Sequence, residues 1–193
     1  MKKAFFLSLV TSCLAVQSLF AITTAGVFKK YPNPCFVETG SFRGQGIDNA
    51  LKAGFSQVYS IELAPHYYTF CKKKFSNRRN VHLFLGDSSA VLARVIASID
   101  KPITFWLDGH CSNGDTARGE TMTPLMKELE AIKLHPIKTH TILIDDVRCF
   151  GTKEFDFLTQ QAVLLKLKEI NPKYTIVYED GYKKKDVLVA YIK

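Results

Sequence analysis

What the sequence is short of narrows it first. It has no Cys-x-x-Cys pair among its 5 cysteines, which removes the usual ligand spacing of a structural zinc site and the motif of thioredoxin-like chemistry. It has no internal repeat, and beyond residue 22 no apolar run long enough to cross a bilayer. Low complexity is missing too. With 14 Phe, 8 Tyr and many aliphatic residues, the chain can bury surface that collagen-like, mucin-like or disordered chains cannot. At 193 residues and 47% hydrophobic, it can build one ordinary core and not two. Charge is only mildly one-sided: 26 Lys and Arg face 18 Asp and Glu, and setting Lys2 and Lys3 aside leaves 24 against 18, or +6. The runs Lys72-Lys73-Lys74, Arg78-Arg79 and Lys183-Lys184-Lys185 read as solvated surface, because a nucleic-acid face needs aromatic residues interleaved on the same side. No nucleic-acid partner is expected.

The first 25 residues read as a targeting segment. Lys2 and Lys3 precede an apolar stretch from Ala4 to Ile22, and Thr23-Thr24-Ala25 offers a small-x-small cleavage site, the pattern of a secretory signal peptide. Lipoprotein processing at Cys13 is disfavoured by the apolar residues beyond it, and an uncleaved anchor would need roughly 20 apolar residues, met here only marginally. The expectation is therefore an exported chain, periplasmic or secreted, with residues 26–193 as its one domain. A retained leader would make it membrane-anchored, and a non-functional one cytoplasmic.

From Cys35 onward, short β-type runs alternate with segments of helical period, the pattern of βαβ units around a parallel sheet. Strands are expected over Cys35 to Glu38, Val58 to Glu62, Val81 to Leu85, Ile103 to Asp108 and Thr141 to Asp145. Between them, Tyr68, Cys71 and Phe75 share a helical face, as do Val91, Leu92, Val95, Ile96 and Ile99, and later Met122, Leu125, Met126, Leu129 and Ile132. A helix from about Asp156 to Ile170 precedes two strands, Tyr174 to Glu179 and Val187 to Ile192, which a short charged loop should pair antiparallel. The fold class is α/β: a Rossmann-like, doubly wound, mostly parallel sheet with a C-terminal antiparallel hairpin.

The first strand runs into Glu38-Thr39-Gly40-Ser41-Phe42-Arg43-Gly44-Gln45-Gly46, a glycine-bearing turn at the place where doubly wound sheets bind nucleotide-like ligands. A dinucleotide loop needs Gly-x-Gly-x-x-Gly so that backbone can approach a pyrophosphate, yet the middle position is Phe42. A ligand without phosphates tolerates that residue. Glu62 ends the second strand, where a carboxylate can accept two hydrogen bonds from a ribose diol. Asp87, after the third strand, can accept from an adenine amino group, and Ser88 is expected to cap the next helix. Two further strand ends carry Asp108 and the pair Asp145-Asp146. Neighbouring parallel strands lie about 4.8 Å apart, so three carboxylates can converge. Unneutralised they would raise one another's pKa, whereas Mg²⁺ would be held by them together with waters and substrate oxygens.

At these residues the chain resembles the class I S-adenosylmethionine-dependent methyltransferases, and more narrowly the metal-dependent O-methyltransferases of the catechol type. The Glu-x-Gly-x-aromatic-x-Gly form of Glu38 to Gly44 is similar to the family's first motif, and Ser60-Ile61-Glu62-Leu63-Ala64-Pro65 to its ribose-binding strand end. The resemblance implies that Glu38 and the loop Gly40, Ser41, Phe42 and Gly44 hold the methionine part of S-adenosylmethionine, Glu62 the ribose, and Asp87 with Ser88 the base side. It implies that Asp108, Asp145 and Asp146 hold the divalent ion, with Asp146 where the family usually has Asn. The family's general-base Lys, three residues beyond the first metal Asp, is replaced by Cys111. His110, with an unperturbed pKa of about 6.5, is the best remaining base. Cys111 and Cys149 each follow a carboxylate by three residues and, in an exported chain, can pair as a disulfide. The loop from Cys111 to Thr121 is expected to cover a small-molecule substrate bearing a phenolic or sugar hydroxyl. The competing readings are an exported binding protein that keeps the fold without catalysis, and a nicotinamide-dependent oxidoreductase.

Overall fold

The computed structural model describes residues 24–110 and 119–193. Residues 1–23 of the expected leader, Cys111 and most of the expected substrate loop lie outside the described residues, and with them the Cys111–Cys149 pairing; Thr24 and Ala25, the last two residues of that expected leader, are described and buried. Residues 24–30 are helical and form α1. There follow β1 (Cys35–Thr39), α2 (Gln45–Ala53), β2 (Gln57–Glu62), α3 (Pro65–Lys74), β3 (Val81–Leu85) and α4 (Ser88–Ile96). The second half adds β4 (Ile103–Leu107), α5 (Leu125–Leu134), β5 (Thr141–Ile144), α6 (Gln160–Ile170), β6 (Thr175–Glu179) and β7 (Val187–Tyr191).

The strands form one sheet in the order β3-β2-β1-β4-β5-β7-β6. The first five are parallel, and β7 enters antiparallel between β5 and β6. Central strands such as Ile103–Leu107 are buried along their whole length, which is why they read as continuous apolar runs rather than alternating ones. Successive side chains point to opposite faces, so the sheet feeds two cores. On one face Val37, Phe105, Ile142 and Leu188 pack with Leu92, Leu129 and Leu167 of α4, α5 and α6. On the other, Phe36, Val58, Trp106 and Val189 pack with Phe28 of α1, Ile47 of α2 and Cys71 of α3. Among the described residues no helix is long and apolar enough to cross a membrane.

Three expectations about helices are corrected. The buried stripe of α3 runs through Tyr67 and Cys71, with Phe75 just beyond it, and Tyr68 is only half-buried. Met122 lies before α5, whose start is set by Pro124 at its N-cap position. The last helix begins at Gln160 rather than Asp156, because Asp156 and Phe157 have φ of 49° and 58°, outside the right-handed helical region. Thr159 caps it by accepting from the Ala162 N–H at 3.2 Å.

Candidate functional site

The parallel register ends the strands in a level row. Thr39 pairs with Ile61 and with Leu107, and Leu107 with Ile144. The next residues continue the ladder: Gly86 N–H donates to Glu62 O, Gly40 N–H to Ile61 O, Asp108 N–H to Thr39 O and Asp145 N–H to Leu107 O, all at 2.9–3.3 Å. Glu62, Gly40, Asp108 and Asp145 therefore line up along the carboxyl edge of the sheet, where open α/β sheets bind ligands. A cavity of about 660 Å³ opens over this row.

One end of the cavity is the glycine loop. Gly40 has φ +83°, and a Cβ there would come within 2.6 Å of the Asp108 carbonyl oxygen, so only glycine lets the two strand ends approach this closely. At Gly46 a Cβ would overlap Glu38 Oε2. Glu38 is buried and accepts from the Ser60 hydroxyl at 2.6 Å. Burial pushes its pKa up to about 8, against the lowering effect of that hydrogen bond. The Ser41 and Ser60 hydroxyls share a further hydrogen bond. Phe42 adopts φ 44°, and its ring packs on Tyr67 with centroids 4.5 Å apart. Its N–H donates to Glu62 Oε2 at 2.8 Å, while Glu62 Oε1 accepts from Ala64 N–H at 2.7 Å. The loop amide that a dinucleotide site would offer to phosphate is thus already given to a carboxylate.

Asp87 is the N-cap of α4, accepting from Ser89 N–H at 2.9 Å. Ser88 is therefore not the cap: its hydroxyl turns inward and donates to Glu128 Oε1 at 2.6 Å. Both residues still line the cavity. Two residues on or beneath the wall had not been singled out. Asn49 lies three residues after Gly46 on α2, hence on the same helical face. It is 3% exposed and lines the cavity, and its Oδ1 has no hydrogen-bond partner among the described residues. Glu128 sits inside the apolar stripe of α5, fully buried against Ser88, and burial pushes its pKa up to about 7. A carboxylate between Leu125 and Leu129 was the available signal.

At the other end Asp108, Asp145 and Asp146 all line the cavity, with Asp146 close to each of the other two, while Asp108 and Asp145 share no set of ligand atoms within 4.8 Å among the described residues. Burial and the neighbouring Asp145 and Asp146 charges hold Asp108 well above the usual carboxylate range, and burial with Asp146 beside it pushes Asp145 up to about 8. Asp146 goes the other way: burial works to raise it, but the His110 hydrogen bond and the Arg148 charge carry it below the ordinary value. His110 stands between two carboxylates, with Nε2 2.9 Å from Asp146 Oδ2 and Nδ1 3.6 Å from Asp108 Oδ1. Its ring rests on Phe155, centroids 5.0 Å apart. Arg148 and Asp186, neither expected from spacing, complete the group, with the Arg148 guanidinium bridging Asp146 and Asp186.

The fold is shared with solved structures. A Staphylococcus aureus chain provisionally named a caffeoyl-CoA O-methyltransferase aligns over 93% of this chain and 83% of its own, with 11% identity and a TM-score of 0.57. A Geobacter sulfurreducens methyltransferase aligns over 89% and 77%, with 14% identity and a TM-score of 0.59. The fold is that of the class I methyltransferases. The SAH-bound methyltransferase PaMTH1 of Podospora anserina shares it too, over 88% of this chain and 76% of its own, at 12% identity and a TM-score of 0.56. No family model and no curated protein matches the sequence. At these identities the methyltransferase likeness is one of fold, and what the site does rests on its own residues.

These residues fit the methyltransferase fold's cofactor. Glu38 is a buried carboxylate with a raised pKa, a group that an ammonium would relieve, and Asn49 Oδ1 is an orphan acceptor on the same wall. They fit a divalent ion poorly. Among the described residues, two sets have ligand atoms within 4.8 Å of one another, Asp108–His110–Asp146 and Asp145–Asp146–Asp186, and both depend on Asp146. Its Oδ1 is taken by Arg148 and its Oδ2 by His110. Asp145 Oδ1 accepts from Asp146 N–H at 2.9 Å. Mg²⁺ demands near-ideal octahedral oxygen geometry, and here it would have to displace a guanidinium already shared by two carboxylates.

Proposed function

We propose that this chain is an S-adenosylmethionine-dependent methyltransferase that acts on a hydroxyl oxygen of a small molecule. The observation that carries the reading is a single cavity with Glu38, Glu62 and Asp87 at one end and Asp108, His110 and Asp146 at the other. When bound, S-adenosylmethionine supplies a methyl carbon made electrophilic by its sulfonium. Glu38 would take the positively charged end of the amino acid, the remaining lone pairs of Glu62 would take the ribose diol, and Asp87 would take the base. At the far end the Nε2–H of His110 donates to Asp146, which leaves Nδ1 as the atom that accepts the substrate's hydroxyl proton. With that cofactor in place its methyl would pass to the substrate oxygen, the carbon–sulfur electron pair staying with sulfur, and His110 Nδ1 would hold the proton that the hydroxyl gives up. Positioning would supply most of the rate, since one cavity would hold the methyl donor and the acceptor together.

The divalent ion suggested by the resemblance is left out of this mechanism, because the two carboxylate oxygens of Asp146 are already taken by the Arg148 guanidinium and the His110 ring. Export by the leader is retained as part of the proposal, with N-terminal sequencing of native material as its check. Calorimetric titration of the full chain with S-adenosylhomocysteine and with NAD tests the main reading. S-adenosylhomocysteine alone should bind, and labelled S-adenosylmethionine should then methylate members of a phenol and sugar panel. Binding of NAD alone would turn the reading to an oxidoreductase, and binding of neither to a non-catalytic binding protein.

A further inference from the structure

The loop after β5 and the turn before β7 meet through a closed set of polar contacts. β7 pairs with β5 so that Ile144 faces Leu188, and continuing that register brings Asp186 beside Asp146. Val147 N–H donates to the Asp186 carbonyl at 2.9 Å, and Arg148 N–H to Asp186 Oδ1 at 3.1 Å. The Arg148 guanidinium then bonds Asp186 Oδ2 on one side and Asp146 Oδ1 on the other. Its face lies over the Tyr182 ring, 5.1 Å from the centroid. The Asp186 side chain is 1% exposed and that of Arg148 32%, so the carboxylate is the fixed partner and the arginine the arm it steadies. Asp146 itself is held at φ 60°, a left-handed conformation that costs a non-glycine residue energy and persists only where its surroundings enforce it.

We infer that Arg148, gripped by Asp186, is the built-in cation of this site and stands where a divalent ion would otherwise be needed. Asp186 is a positioning residue that acts through Arg148 and Asp146 on His110. The inference deepens the methyltransferase reading and rests on it for the identity of the reaction, though not for the geometry. Arg148 is always protonated, so the positive charge beside Asp146 is permanent and does not depend on metal supply. It occupies Oδ1 of Asp146 and leaves Oδ2 for the imidazole, which selects the Nε2–H tautomer of His110 and leaves Nδ1 on the Asp108 side, 3.6 Å from Oδ1. Asp186, buried and bonded to both the backbone and the side chain of Arg148, keeps that arm from swinging into solvent.

The test uses the full chain with Mn²⁺ as the probe, followed by electron paramagnetic resonance, and nitrogen-15 spectra of the His110 imidazole. The wild-type chain should hold no stoichiometric Mn²⁺, whereas Arg148→Gln, which uncovers Asp146, should tighten Mn²⁺ binding by about tenfold or more. In Asp186→Asn the imidazole should lose its single tautomer and show exchange, and Asp186→Glu, which restores the charge, should recover it. Methyl transfer in Asp186→Asn should fall by roughly 10- to 100-fold, with the affinity for S-adenosylhomocysteine unchanged. If Asp186→Asn does not fold, Arg148→Gln breaks the same link from its exposed end, and the imidazole spectrum is read there. One Mn²⁺ bound by the wild-type chain and released by Asp146→Asn would overturn the inference, as would an imidazole spectrum indifferent to both substitutions. Failure of S-adenosylhomocysteine to bind would sink the methyltransferase reading instead and leave these two results standing.

Discussion

At the scale of single residues, the cavity is defined by groups whose bonding is left incomplete or strained. Asn49 Oδ1 is a buried acceptor with no partner, and a hydrogen bond to a ligand there is worth about 1 kcal/mol net. Asn49→Ala should therefore weaken S-adenosylhomocysteine binding by roughly fivefold while leaving the melting temperature nearly unchanged, both read in the same calorimetric series. An unchanged affinity would remove Asn49 from the binding surface. Asn49 and Glu38 share a logic with Asp145: each is a polar group buried beyond what its protein neighbours satisfy, the condition under which sites rather than scaffolds are found.

At the scale of elements, the lower rim of the sheet shows the opposite condition, complete satisfaction. Ile103 N–H donates to His140 Nδ1 at 3.0 Å, His140 Nε2–H to His135 Nδ1 at 2.9 Å, and His135 Nε2–H to the carbonyls of Ile96 and Ile99 at 3.2 and 3.1 Å. This chain ties β4, the approach to β5, α5 and the end of α4 together, and it works only with both rings neutral. Burial, with His135 nearby, lowers the His140 pKa to about 4. The folded state binds that proton less readily than the unfolded one, whose pKa is about 6.5. The contribution is thus complete above pH 6.5 and is lost as pH falls toward 4, at about 1.4 kcal/mol per unit. His140→Leu should cost about 1–3 kcal/mol at pH 7, because it orphans the Ile103 N–H. The gap between wild type and variant, measured by urea unfolding, should close between pH 6.5 and 4. A gap constant with pH would mean the ring is not held neutral.

The same scale shows what could be read in advance. Strand positions followed from runs such as Ile103 to Leu107 that stay apolar on both faces, and the level row of Glu62, Asp108 and Asp145 followed from parallel pairing. Helix faces were less legible. Tyr67 and Tyr68 are adjacent and chemically alike, so periodicity did not choose between them, and the positive φ of Asp156 and Phe157 leaves no trace in composition. Arg148 and Asp186 escaped notice for a different reason. They lie 38 residues apart, and only the insertion of β7 beside β5 brings them together. Ser88 was misread because Asp87 and Ser88 are both good N-caps, and the choice between them turned on Glu128, a residue of another helix.

At the scale of the whole molecule, burying acids without full neutralisation has a thermodynamic signature. Glu38 and Glu128 have folded pKa values of about 8 and about 7, and Asp145 of about 8, all above unfolded values near 4. The folded state therefore binds more protons than the unfolded one across this range, so stability is greatest near pH 4.5 and declines as pH rises toward 8. His140 opposes this slope only below pH 6.5, and one group cannot cancel three. The ligand-free chain should melt at a lower temperature at pH 8 than at pH 6.5, and S-adenosylhomocysteine, by placing an ammonium near Glu38, should narrow the difference. Scanning calorimetry at the two pH values decides it, and a melting point that rises with pH would contradict the reading of these acids as unneutralised.

The position of Asp186 also ties the electrostatics of the site to the closure of the sheet. Arg148 and Asp186 lie 38 residues apart, and they meet because β7 pairs antiparallel with β5. A substitution that loosens that pairing would therefore unsettle the charge arrangement around His110 without altering any residue that lines the cavity.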